Sequence, residues 1–165
     1  MDKKELGTII HSVLKPLGFK KKGLVWTLTG EEISERLWLQ KSCYGDLYYF
    51  YYNYIINSIQ ERPSETHTYV RYWEKGECLK TRKEIYAILN FENDMPSAER
   101  ENRLVNFLTS HIVPNCGKIT SNSQLKDLIL ERKWCSLRWT VVNFYNLPEI
   151  YRKACPKNLI LEDYE

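Results

Sequence analysis

The stretch YGDLYYFYYNYIINS, Tyr44 to Ser58, constrains the fold more than any other part of this chain. Between Tyr48 and Tyr54 it holds five tyrosines, one phenylalanine and one asparagine. The run reads as a strand from about Leu47 to Asn57. Side chains alternate across a strand, so Tyr48, Phe50, Tyr52, Tyr54 and Ile56 share one face. Leu47, Tyr49, Tyr51, Asn53, Ile55 and Asn57 share the other. Rings on both faces imply a central strand, covered by helices on one side and half-wet on the other. Tyrosine suits the wetter side because its hydroxyl stays hydrated while its ring packs.

The neighbouring segments supply partners for that strand. GLVWTLT alternates Leu24, Trp26, Leu28 against Val25, Thr27, Thr29, and RLWLQKSCY alternates Leu37 and Leu39 against Arg36, Trp38 and Gln40. Lys20 to Lys22 form a charged turn or a strand edge, and Gly45-Asp46 is a turn pair. THTYVRYWEKGE, with His67, Tyr69, Arg71 and Trp73 on one face, reads as a fourth strand. Short connections between strands point to an antiparallel meander.

Helical spacing brackets this sheet. Leu6, Ile9, Ile10, Val13, Leu14 and Leu17 form one apolar stripe, with Asp2 and Glu5 at capping-box spacing and Pro16 and Gly18 ending the helix. TRKEIYAILNF fits a short helix, on the Thr81/Glu84 spacing, or a strand. Asp94 to Ser97 opens a helix whose Leu104, Phe107, Leu108, His111 and Ile112 share a face. SNSQLKDLILERK is a helix with Ser121 and Gln124 spaced as a capping box. CSLRWTVVNFY, Cys135 to Tyr145, reads as a strand from its β-formers, and NLPEIYRKAC as a helix capped by Asn146. The fold class is therefore α+β: an antiparallel sheet of about four strands, with the N-terminal amphipathic helix and later helices packed on one face. At 165 residues, 43% of them hydrophobic and 27% charged, the chain makes a single globular domain over residues 1–165.

The residues also resemble a known family. The N-terminal helix, LKPLGFKKKGLVW, LWLQKS, the aromatic strand and HIVPNCGKITSNSQL come in the order of an uncharacterised bacterial family, domain of unknown function 4304. The similarity runs from about Leu6 to Leu130, with the GFKKKG turn and Leu39-Gln40-Lys41-Ser42 as its best matches. The resemblance implies a bacterial cytoplasmic α+β domain and a helical C-terminal region, against the strand reading of Cys135 to Tyr145. It carries over no catalytic residues. Small families of this kind often stand beside bacterial toxins as immunity proteins, an association of class.

Chemistry leaves few marks. There is no phosphate-binding loop, no G-x-G-x-x-G and no G-x-S-x-G. His11, His67 and His111 stand apart; His11 reads as solvated, His111 as a hydrogen-bonded core imidazole, and His67 beside Arg71 as a weak functional candidate. Glu92 and Asp94 stand near a helix start, where capping explains Asp94 without a cation. The five cysteines, Cys43, Cys78, Cys116, Cys135 and Cys155, are odd in number and unpaired in spacing, so they read as buried reduced thiols. No metal site and no cofactor are implied. No apolar run reaches the roughly 20 residues of a membrane helix, and cytoplasm is the expected location.

Binding is the function class that remains. The first expectation is a non-enzymatic protein-binding module, of which a bacterial toxin-neutralising immunity protein is one form. Its contact residues are Trp38, Tyr49, Tyr51, Asn53 and Arg71, with Arg36 alongside, because Tyr, Trp and Arg dominate binding hot spots. Against a nuclease toxin an acidic face is expected, formed by Glu31, Glu32 and Glu35. The alternative is a single-stranded nucleic-acid binder that stacks bases on Trp38, Tyr49 and Tyr51, flanked by Lys20 to Lys22 and Lys41. The net charge of +3 argues against it: 13 basic residues face 10 acidic ones over residues 1–82, and 11 face 11 over 83–165. An enzyme whose site is assembled across the fold is the third reading.

Overall fold

A computed structural model describes residues 1–59, 70–71, 77–131, 137, 139–148 and 151; for 70–71, 77–82 and 139 it gives the backbone. Helix α1, Lys3–Leu14, starts on the capping box that its sequence encodes. The Asp2 carboxylate accepts from the backbone N–H of Lys4 and Glu5 at 2.7 and 2.8 Å, and Glu5 accepts from the Asp2 N–H at 2.7 Å. Leu6, Ile10 and Leu14 are fully buried at helical spacing. A single turn of 3-10 helix, Lys15–Leu17, follows, and Gly18 at φ 92 reverses the chain.

The chain then runs through a five-stranded antiparallel meander in sequence order: β1 (Lys20–Lys22), β2 (Val25–Leu28), β3 (Ile33–Lys41), β4 (Tyr48–Ile56) and β5 (Val70–Arg71). The three lysines are an edge strand, joined to β2 across Gly23 at φ 63. Lysines on an edge discourage pairing with another chain. Strand β4 is flanked by β3 and β5, as its two aromatic faces require. The register sets Tyr52 beside Leu37 and Leu37 beside Trp26, a row of three side chains with no exposed surface. Burying each such side chain contributes about 1.5–3 kcal/mol. His67 and the flanks of β5 lie outside the described residues.

Helices cover that face. Of TRKEIYAILNF, all but the last two residues lie in helix α2, Glu77–Leu89, which buries Ile85, Ile88 and Leu89, while Asn90 bridges to Leu47. Helix α3, Ser97–Phe107, sets Phe107 edge-on to Phe50 at 5.7 Å. It continues through a π turn, Leu108–Ile112, into a 3-10 turn, Val113–Asn115. Helix α4, Asn122–Glu131, has the reciprocal Ser121/Gln124 cap.

Within the strand expected at Cys135 to Tyr145 the structure has a helix instead, α5, Trp139–Phe144, with Leu137 and Tyr145 described on either side of it. Leu137, Val141, Val142 and Tyr145 are buried at spacings of four, five and eight, a helical stripe that outweighs the β-propensity of the valines. Asn146, expected to cap a following helix that falls outside the described residues, stands directly after α5. It closes α5 at φ 50, with its own N–H bonded to Asn143 O and that of Leu147 to Val142 O. The Pro148 carbonyl accepts the Tyr151 N–H at 3.0 Å, and the remainder of NLPEIYRKAC lies outside the described residues.

The β2–β3 connection has no room for a side chain at Gly30. A Cβ there would run into the Ile33 carbonyl, and the Asn57 amide pins the loop by donating to the carbonyls of Gly30 and Glu31. Gly30→Ala is expected to cost about 1–3 kcal/mol of stability in urea unfolding, the usual cost of overpacking. An unchanged midpoint would show that the loop relaxes freely.

Candidate functional site

The second face of the sheet is the less covered one. Alternation and register bring two cross-strand rows onto it: Lys22–Val25–Trp38–Tyr51, and Lys20–Thr27–Arg36–Asn53. Gln40 and Tyr49 pair one step further toward the β3–β4 turn. Lys20, Lys22 and Gln40 are exposed, while Val25, Thr27, Arg36, Trp38, Tyr49 and Tyr51 are half-buried. At the opposite end the face closes, and Ser34 is 5% exposed. Beyond Tyr49 the connecting loop carries Tyr44 at 93% exposure, a ring the fold does not use.

The rings on this face are already paired. Trp38 and Tyr51 lie face to face, centroids 4.7 Å apart and planes 13° from parallel. Tyr49 meets Tyr86 of α2 edge-on at 5.7 Å. Tyr49, Tyr51 and Trp38 thus occupy one continuous, partly open patch. Asn53 does not join them: it is 2% exposed, because the closed end of the face reaches its row, so its amide is withdrawn from any contact surface. The Arg71 backbone stands opposite Asn53 in β5, and its side chain lies outside the described residues.

The acidic trio expected beside this face is dispersed. Glu35 points the other way, sharing its face with Leu37 and Ile33, and is 2% exposed. Glu32 accepts the Asn122 N–H at the start of α4 at 2.7 Å. Only Glu31 of the three is an exposed loop residue without such a task among the described residues. The lysines divide as well. Lys21 turns to the helix side, its Nζ 5.9 Å from the Trp26 ring, and Lys41 pairs with Asp46 at 3.0 Å.

Glu35 anchors a polar cluster inside the core. Its carboxylate accepts from the Tyr52 hydroxyl at 2.6 Å and from the Gly117 N–H at 2.9 Å. Tyr52 O–H also lies 3.7 Å from Cys116 Sγ. Burial raises the Glu35 pKa above the usual carboxylate range, against the two hydrogen bonds that lower it. Burial likewise raises Tyr52 and pushes the Cys116 thiol up to about 12. A thiol held that high is protonated and unreactive. The sequence carried one signal for this cluster: Glu35 has the parity of Ile33, Leu37 and Leu39, a carboxylate set in a core row.

Other candidates for chemistry fall to ordinary roles. A cleft of about 430 Å³ lined by Asp2, Lys3, Lys4, Lys21, Gly23 and Leu24 contains none of the core cluster. Asp2 there is held below the usual range by the Glu5 N–H it caps. Cys43 is exposed rather than buried, since it sits in the β3–β4 turn, and Cys116 is half-buried. The side chains of Cys78, Cys135 and Cys155 lie outside the described residues. His11 is half-buried with its Nδ1 enclosed, not solvated, and His111 packs its ring 5.2 Å from Phe107. Among the described residues no group of three His, Cys, Asp or Glu side chains is placed to hold a metal ion, and no helix is long and apolar enough to cross a membrane.

These features define an α+β domain with one sheet face sealed by helices and the other partly open. The chain belongs to the family described as a domain of unknown function, DUF4304, which matches residues 10–117. The matched stretch contains the whole sheet, the open face and, at its last residue, the Gly117 N–H that binds Glu35. No curated protein and no solved structure matches the chain.

Proposed function

We propose that this chain is a non-enzymatic protein-binding module that docks its partner on the open face of the sheet. The carrying observation is the Trp38–Tyr51 pair. A base-stacking platform needs ring faces that lie open to successive bases. Here each ring of the pair spends one face on the other, and Tyr49 is taken up with Tyr86. What such a pair offers is a rigid apolar ridge with polar ring edges, the character of a protein hot spot. The lysines expected to track a nucleic-acid backbone also point to opposite sides of the sheet. A toxin-neutralising immunity protein is the narrower form of this reading. The roles of Glu32 and Glu35 weigh against a nuclease as its target. The cytoplasm is the location we assign, on the odd number of cysteines and their spacing in the sequence.

The test is an affinity pull-down from the source cells at low and high salt, run with the parent chain and with Trp38→Ala. The expected result is one stoichiometric protein, retained at high salt and lost from the variant. For that protein, Trp38→Ala and the double change Tyr49→Ala/Tyr51→Ala should each weaken binding about tenfold or more. Thermal melts establish that the variants are folded. Nucleic acid that leaves as salt rises, or equal capture by a folded Trp38→Ala chain, would sink the reading.

A further inference from the structure

We infer that the surface docked on this face is an acidic polypeptide, with its carboxylates on the β1 side of an apolar anchor. The inference rests on the protein-binding reading and adds the partner's chemistry. Its basis is the charge that alternation puts on one side of the sheet. Among the described residues, strands β1 to β4 send Lys20, Lys22 and Arg36 to the open face and no carboxylate. Of the acidic residues nearby, Glu31 stands exposed on the β2–β3 loop, outside the strands, and the others are committed elsewhere. Glu35 lies in the core beneath, Glu32 holds the start of α4, and Asp46 pairs with Lys41. Neither Lys20 nor Lys22 makes an ion pair among the described residues, so the fold leaves their charge to solvent.

The register gives the positive charge a direction. Lys22 shares a row with Trp38 and Tyr51 and stands two strands from Trp38, about 10 Å at the usual strand spacing. Lys20 and Arg36 occupy the next row, about 7 Å along the strands. On the far side of the aromatic pair the face carries Tyr49, which meets Tyr86. Among the described side chains of β1 to β4, a partner that seats an apolar or aromatic side chain on the Trp38–Tyr51 ridge therefore meets its exposed cations on the β1 side. Exposed lysines at that distance act chiefly on encounter, raising the association rate at low salt and suppressing basic partners. The aromatic ridge governs how long the complex lasts.

The experiment pans a library of random 16-residue displayed peptides against the immobilised whole chain, and measures the kinetics of the best synthetic peptide. Single-stranded dT20 serves as an anionic control. Enriched peptides should carry Asp or Glu on one side of an aromatic or apolar residue. Lys20→Glu/Lys22→Glu should slow their association about tenfold, with dissociation and the melting curve little changed, because both lysines are exposed. Trp38→Ala should speed dissociation. Peptides that need Trp38 but are neutral or basic, or that bind the charge-reversed chain equally, overturn the acidic partner and leave the docking face standing. No enrichment, binding indifferent to Trp38, or dT20 bound through Trp38 in preference to any peptide overturns both.

Discussion

Arg100→Ala is expected to cost about 3–5 kcal/mol of folding stability, a large share of the total for a domain of this size. The residue is 3% exposed and closes the connection between α2 and α3. Its guanidinium donates to the carbonyls of Ile88 and Asn90 at 2.5 and 2.8 Å and to the Asn93 side chain at 2.6 Å. Ile88 and Asn90 lie at the C-terminal end of α2, where carbonyls have no partner within the helix. The guanidinium also stands 4.7 Å from the Phe91 ring centroid. Hydrogen bonds to a charged group are each worth about 1.5–3 kcal/mol, and deletion strands several acceptors at once. Arg100→Lys keeps the charge but not the planar fork, so it should recover only part of the loss. Denaturant unfolding of the three chains checks this, and a loss under about 1 kcal/mol for the alanine variant would show that water replaces the guanidinium.

The second large effect concerns Glu35, and it depends on pH. Because burial raises its pKa, the folded chain keeps the Glu35 proton to a higher pH than the unfolded chain does. Above the ordinary value of 4.5, the unfolded chain ionises while the folded chain resists. Stability therefore falls as pH rises from that value toward the raised one, and the contribution is fully present below it. The groups facing Glu35 are Tyr52 from β4 and the Cys116–Gly117 turn, and the tyrosine and the thiol, both raised by burial, stay protonated throughout this window. Glu35→Gln keeps a hydrogen-bonding group in place and should remove this fall, so the difference between the two stability–pH curves isolates it. Glu35→Leu should be far worse. It strands the Gly117 N–H and removes the carboxylate acceptor of the Tyr52 hydroxyl, at about 1–3 kcal/mol for each buried donor left unsatisfied. Parallel curves for the parent and Glu35→Gln would show that Glu35 titrates alike folded and unfolded.

Much of the fold was legible because its signals are local. The Asp2/Glu5 and Ser121/Gln124 caps depend on residues three apart, and both form with reciprocal bonds. The partition of Tyr48 to Ile56 into a sealed and a half-open face follows from strand alternation alone, and the even positions are all buried. The misreadings share a different cause. Asn53 has the parity of the open face but sits where that face is closed. Residues 139–144 carry β-formers at helical spacing, and packing chose the helix.

The sequence by itself determined which residues form strands and helices in the sheet half of the chain, where helices stop, and which side chains share a face. Caps, turns and periodicity act within a few residues, so no knowledge of distant contacts is needed to read them. Only the tertiary structure decided what each face meets: that Glu35 is sealed against Tyr52 and Gly117, 82 positions further along the chain, that Arg100 ties off α2, and that Trp38 and Tyr51 stack on each other. Those outcomes depend on strand register and on what covers each end of the sheet. They are set by burial and desolvation summed over the whole domain, which no local pattern encodes.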